Sequence, residues 1–137
     1  MFYKAFSIFL LTMTLAACDQ QLPPYNNLDN KKLKTMLEQG TPIFDVRRPD
    51  EWRQTGVINN SKLLTFVSSS GKLNQEFLPR FTSMVSKDDP VILICRTGNR
   101  TSQLARYLVE KLGYTNVHNV RNGITQWIRE KQPVTRL

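Results

Sequence analysis

The sequence predicts a three-layer α/β domain, a mainly parallel central sheet with helices on both faces. Two observations carry that expectation. Short apolar runs suited to buried strands, PIFDV, VILI and VHNV among them, alternate with stretches whose apolar residues recur at helical spacing. Glycines stand where two of those helical stretches stop, at Gly40 and Gly113. Alternating strands and helices build a parallel sheet covered on both sides. At 137 residues the chain has room for one ordinary domain.

In order along the chain, LDNKKLKTMLEQG places Leu33, Met36 and Leu37 at helical spacing and ends at Gly40. PIFDV (Pro42–Val46) is a buried strand. RRPDEW (Arg47–Trp52) is a turn opening into a short helical segment, and KLLTFV (Lys62–Val67) is a second strand. Lys72 to Ser86 carries Leu73, Phe77, Phe81, Met84 and Val85 in a helix-like pattern. Its regular part is expected near Pro79, because proline is tolerated where a helix begins. VILI (Val91–Ile94) is the most strand-like segment. The next helix, capped by Thr101 or Ser102, runs to Leu112 with Leu104, Tyr107, Leu108 and Leu112 on one face. VHNV (Val117–Val120) is the last strand, and Ile124, Trp127 and Ile128 mark a final helix before Pro133. Trp52 and Trp127 are expected to pack in the core.

The N-terminus has a different build. Lys4 precedes an uncharged, mostly apolar stretch from Ala5 to Ala17. That is too short to cross a bilayer of roughly 30 Å as a helix, and it has the plan of an export signal. Leu15, Ala16 and Ala17 stand before Cys18, and Leu-Ala-Ala-Cys resembles the lipobox of bacterial lipoproteins. That resemblance implies a signal peptide over residues 1–17, removed, and a lipidated Cys18 anchored to a membrane by acyl chains, palmitate among them. Residues 18–27, with a Pro-Pro pair, are expected to form the tether, and residues 28–137 the folded domain. Asp19 resembles the signal that retains enterobacterial lipoproteins in the inner membrane, so the expected place is the periplasmic side of the cell envelope.

Lys and Arg outnumber Asp and Glu by 19 to 11, a net charge of +8. Such an excess suits a solvated basic surface, anionic headgroups or small anionic substrates. Nucleic acid is not an expected partner, since there is no run of five Lys/Arg and no stacking-aromatic motif. The chain has two cysteines. With Cys18 lipidated, Cys95 is an unpaired thiol in a compartment that oxidises thiols, which favours a chemical role over a purely structural one.

Cys95 follows VILI and opens CRTGNRTSQLA (Cys95–Ala105). In parallel sheets the site lies beyond the carboxyl ends of the strands, where a loop feeds a helix N-terminus. Three features of the loop favour negative charge on sulfur, and a thiol reacts as its thiolate. The following helix turns free N–H groups and its positive end toward the loop. Arg96 and Arg100 add two fixed cations. Gly98 lets the loop curl so that successive amides face inward. Sulfur carriage, capture of a phosphate or arsenate, and plain connection are the three roles open to such a loop.

CRTGNR resembles the active-site loop of rhodanese-type sulfurtransferases. DVRRPDEW (Asp45–Trp52) is similar to that family's segment after the first buried strand, and NGITQWIREKQPV (Asn122–Val134) to its closing Gly-Gly…Trp…Pro-Val segment. The likeness runs from about Leu28 to Arg136. It departs from the family at GVINNSK (Gly56–Lys62), where Gly-His-Ile-Pro-Gly-Ala is usual, and at Asn122, where a first Gly is usual. Four residues lie between Cys95 and Arg100, the loop length of the sulfurtransferases. Rhodanese-like phosphatases and arsenate reductases carry one more.

The resemblance implies a double displacement through a Cys95 persulfide, with a small anionic sulfur donor such as thiosulfate and a thiol or cyanide acceptor. It implies that the amides of Arg96, Thr97, Gly98, Asn99 and Arg100 hold the terminal sulfur. Arg96 and Arg100 are expected to attract the donor, with Asp45 orienting one arginine from beneath. The alternative is a non-catalytic rhodanese-like module that binds a partner or senses persulfide or oxidant through Cys95. No cofactor or metal is expected, because one histidine and one free cysteine cannot build a zinc site without recruiting carboxylates. His118 is expected to be satisfied or solvated near a strand end rather than to act as a base. A monomer is expected.

Overall fold

The computed structural model describes residues 21–137. The expected export signal, Cys18 and Asp19 lie outside the described residues. No helix among the described residues is long and apolar enough to cross a membrane.

Five strands form one parallel sheet in the order β1-β5-β4-β2-β3. They are β1 (Asn26–Leu28), β2 (Ile43–Asp45), β3 (Lys62–Leu63), β4 (Val91–Ile94) and β5 (Val117–Val120). The helices are α1 (Asn30–Glu38), α2 (Pro49–Thr55), α3 (Phe77–Met84), α4 (Asn99–Glu110) and α5 (Gly123–Arg129).

β4 shows why three layers form. All four of its residues are buried, and successive side chains leave a strand on opposite faces. Val91 and Leu93 join the layer made by Phe77 and Phe81 of α3 and Leu104, Ala105 and Leu108 of α4. Ile92 and Ile94 join the layer made by Leu33 of α1 and Ile124 and Trp127 of α5. A strand buried on both faces has no polar alternation, which is why VILI is unbroken. Cys95 continues the alternation of Val91 and Leu93 and shares their layer.

Three elements differ from expectation, each for a local reason, and α3 begins near Pro79 as expected. The first two residues of β1 were expected to be tether. Asn26 and Asn27 are polar because β1 is an edge strand, so periodicity does not mark it, yet it pairs in register with β5, Asn27 beside Asn119. Tyr25 packs against the α3/α4 layer as well. β3 is shorter than KLLTFV, although Leu64 N–H and Phe66 N–H still donate to Asp45 O and Val46 O. α3 begins at Phe77, which puts Pro79 in the first turn, where a missing N–H costs no helical bond. α4 begins at Asn99, earlier than Thr101 or Ser102, because Gly98 adopts a left-handed φ of 92° at the cap.

Phe81 is at the centre of the α3/α4 layer. Its ring meets Phe44 edge-on at 4.9 Å, stacks on Phe77 at 5.7 Å and tilts against Tyr114 at 5.7 Å. Truncating a fully buried aromatic removes transfer energy and leaves a cavity, at a cost of about 3–5 kcal/mol. Phe81→Ala is therefore expected to destabilise the domain by that amount. Urea unfolding checks this: the midpoint should fall with the slope unchanged.

Candidate active site

Cys95 lies at the carboxyl end of β4, its side chain 1% exposed. Its Sγ accepts a hydrogen bond from the Gly98 N–H at 3.1 Å and lies 3.3 Å from Thr101 Oγ1. The first N–H groups of α4 lack partners within the helix, so the positive end of a 12-residue helix borders the sulfur.

Two glycines allow the loop to close this tightly. A Cβ on Gly98 would overlap the Arg121 carbonyl, and one on Gly123 would overlap the Arg96 carbonyl. Gly123 also has a positive φ of 61°. Asn122 has φ −108°, so Gly123 alone takes the left-handed turn and Asn replaces a first Gly there without strain. The start of α5 then holds the loop from behind. Ile124 N–H donates to Cys95 O at 2.9 Å, and Thr125 N–H and Oγ1 donate to Arg96 O at 3.1 and 2.9 Å.

The charges are arranged differently from expectation. Asp45 does orient an arginine, but it is Arg47 and neither Arg96 nor Arg100. Asp45 and Arg47 form a fully buried pair, with Arg47 Nη2 2.7 Å from Asp45 Oδ2. Trp52 Nε1 donates to Asp45 Oδ1 at 3.0 Å, and Arg47 also donates to Thr55 Oγ1 and Gly56 O. With its oxygens so engaged, Asp45 belongs to the support under α2. Arg47 is only two residues on, so its guanidinium folds back before any loop arginine can reach.

The partner of Arg100 is Glu51, which was not anticipated. Arg100 Nη1 and Nη2 donate to its two oxygens at 2.8 and 2.7 Å, and Arg48 N–H donates to Oε2 at 3.0 Å. Burial pushes the Glu51 carboxyl up. The bonds from Arg100 and the Arg48 N–H, with both guanidinium charges, outweigh it and hold the carboxyl at about 2. The Arg100 guanidinium is raised in turn, first by its bond to Glu51. A carboxylate in the first turn of α2, two residues after Pro49, was the available signal.

Arg96, Thr97 and Asn99 are exposed at the mouth of the loop, and Gly98 is buried. The ion pairs among the described residues involve Arg47, Arg48, Arg100 and Arg106, and leave Arg96 free. His118 pairs in register with Ile92, on the sheet face opposite Cys95. Its Nε2 bonds Asn116 Oδ1 at 2.7 Å, and burial pushes its pKa down. The departing segment Gly56–Lys62 does not wall the loop. Ile58, Asn59, Asn60 and Lys62 instead line a cavity of about 720 Å³ before β2, with Trp127 and Val134.

Residues 29–130 match the family described as "Rhodanese-like domain". The chain is 30% identical over 113 residues to thiosulfate sulfurtransferase 18 of Arabidopsis thaliana, covering 79% of this chain and 82% of that one. It is 31% identical over 111 residues to a sulfurtransferase of Allochromatium vinosum, covering 80% and 94%. Among solved structures, a rhodanese-related protein of Thermoplasma volcanium superposes with a TM-score of 0.61 at 28% identity, covering 81% and 98%.

The Glu51 clamp has a pH signature. A carboxyl held below its usual 4.5 contributes stability that is complete above that value and is lost as pH falls through about 2. Glu51→Gln cannot titrate. The gap in thermal midpoint between the native protein and Glu51→Gln is expected to be widest above pH 4.5 and to close toward pH 2, as read from unfolding curves in that range.

Proposed function

The chain belongs to the rhodanese-like family, and on that footing we propose that it is a sulfurtransferase working through a Cys95 persulfide. The observation that carries this reading is the sulfur's setting: Cys95 Sγ receives the Gly98 N–H at 3.1 Å beside the start of α4. Sulfur transfer needs no base at the nucleophile, which suits a chain whose sole histidine is across the sheet. A Cys/His hydrolase would need that base.

In the proposed reaction the Cys95 thiolate attacks the outer sulfur of thiosulfate or a similar donor. The donor's S–S bond breaks, and sulfite leaves with its electron pair. Cys95 now carries a persulfide anion, whose terminal sulfur meets the loop amides of residues 96–100. A thiolate or cyanide then attacks that sulfur and restores the Cys95 thiolate. Arg96, exposed and free of ion pairs among the described residues, draws the anionic donor. Arg100 is held by Glu51, so its part is to fix the loop and keep positive charge behind the sulfur. The wider proposal sets this chemistry on the periplasmic face of a bacterial membrane, through a lipid on Cys18, with Asp19 favouring the inner one. Leu-Ala-Ala-Cys supports it.

Intact mass before and after thiosulfate tests the reaction. One added sulfur, removable by cyanide and absent in Cys95→Ser, is expected. No gain on folded, reduced protein would point to a binding or sensing module. Arg96→Ala should raise KM for thiosulfate roughly two- to fivefold, as removal of one partly exposed charge does. The increase should shrink in high salt, and steady-state kinetics at two ionic strengths measures both.

A further inference from the structure

A line of four polar side chains leads from the sulfur to the edge of the sheet, and the sulfur reaction as described does not use most of it. Cys95 Sγ is 3.3 Å from Thr101 Oγ1, Thr101 Oγ1 is 2.6 Å from Asn119 Oδ1, and Asn119 Nδ2 donates to Asn27 Oδ1 at 3.0 Å. Cys95, Thr101 and Asn119 are 1%, 0% and 3% exposed, and Asn27 opens to solvent. Register explains the alignment. Asn119 pairs with Leu93 on the face that carries Cys95, and Asn27 lies directly beside Asn119 on β1.

Proton counting gives this line a direction. Thr101 has one hydroxyl proton, and of its two acceptors, Asn119 Oδ1 at 2.6 Å and Gly98 O at 3.3 Å, the nearer takes it. Thr101 Oγ1 then offers only a lone pair to Cys95, so that contact is satisfied by an S–H and suits the neutral thiol. An anionic sulfur already has the Gly98 N–H and gains a second donor only if the hydroxyl proton turns toward it. That would leave two oxygens facing each other at 2.6 Å unless Asn119 rotates its amide and donates from Nδ2. Asn119 Oδ1 would then face Asn27, which must rotate in the same sense. An amide rotation exchanges donor and acceptor at almost no change in shape. The line therefore has two polarities, one matched to the thiol and one to the anion.

We infer that Asn119 and Asn27 are positioning residues that govern the ionisation of Cys95 by setting the direction of the Thr101 hydroxyl. This rests on the reading of Cys95 as an anionic nucleophile. The line itself is uncharged. The charged groups around the sulfur are Arg100 from α4 with Glu51 from α2, the Asp45–Arg47 pair at the end of β2, and Arg96 at the mouth.

Asn27→Asp tests it, since Asn27 is exposed and its replacement leaves the core intact. A carboxylate accepts only, so it holds Asn119 Nδ2 outward and locks the thiol polarity. Alkylation of Cys95 by iodoacetamide is followed against pH in the full chain, read on the Cys95 peptide by mass. Asn27→Asp should move the midpoint up by roughly 0.5–1 unit, the worth of one hydrogen bond. Asn26→Asp places the same charge one residue away on the opposite face and should leave it unmoved. In Thr101→Val, Asn27→Asp should add no further shift. No shift in Asn27→Asp, an equal shift in Asn26→Asp, or a shift that survives Thr101→Val would each overturn the inference. Alkylation needs no sulfur donor, so failure of persulfide formation leaves the outcome readable.

Discussion

The site depends on two backbone approaches so close that no side chain fits between them. Gly98 lies against the Arg121 carbonyl and Gly123 against the carbonyls of Cys95 and Arg96. These approaches lock the turn after β4 to the turn after β5. The Cys95 and Arg96 carbonyls point back into α5, where the Ile124 and Thr125 N–H groups donate to them. With those two carbonyls engaged there, the Gly98 N–H is turned to the sulfur. An anion-binding loop is set by where its carbonyls go as much as by where its amides point.

Around that lock the charge is sorted by depth. Asp45 and Arg47 are wholly buried and satisfied by each other, by Trp52 and by the end of α2. Such a pair contributes geometry rather than a field, and breaking it would leave a buried charge unpaired, at about 3–5 kcal/mol. Glu51 and Arg100 are nearer the surface and join α2 to α4. Arg96 is exposed and takes part in none of the ion pairs among the described residues. Arg96 and Arg100 thus sit in different settings, one exposed and one clamped by Glu51, although the two look equivalent in CRTGNR.

Much of this was legible in the residues. Runs buried on both faces, such as VILI, name themselves, and so do helices stopped by glycine. Cys95 at a strand end before a helix marked the candidate site. What stayed hidden has physical causes. β1 is too polar and short for periodicity, because an edge strand next to solvent needs little apolar surface. Asp45 was assigned the wrong arginine because its true partner, two residues on, looks like a turn residue until the chain folds back. Glu51 and Asn119 reach the loop across 49 and 18 residues of sequence, a distance that local pattern does not bridge. Asn119 did leave a trace, since asparagine is disfavoured in a strand.

The position of β1 bears on where this folding unit can be cut. The family match begins at residue 29, just after β1 ends. A polypeptide started there would keep the reactive loop and nearly all of the apolar core. It would also turn β5 into an open edge, with VHNV's N–H and C=O groups offered to any passing strand. Asn119 would lose its only side-chain acceptor at a site 3% exposed. Such a fragment would be expected to self-associate through β5, and a survey of the family confined to the shared segment would pass over the strand that prevents it.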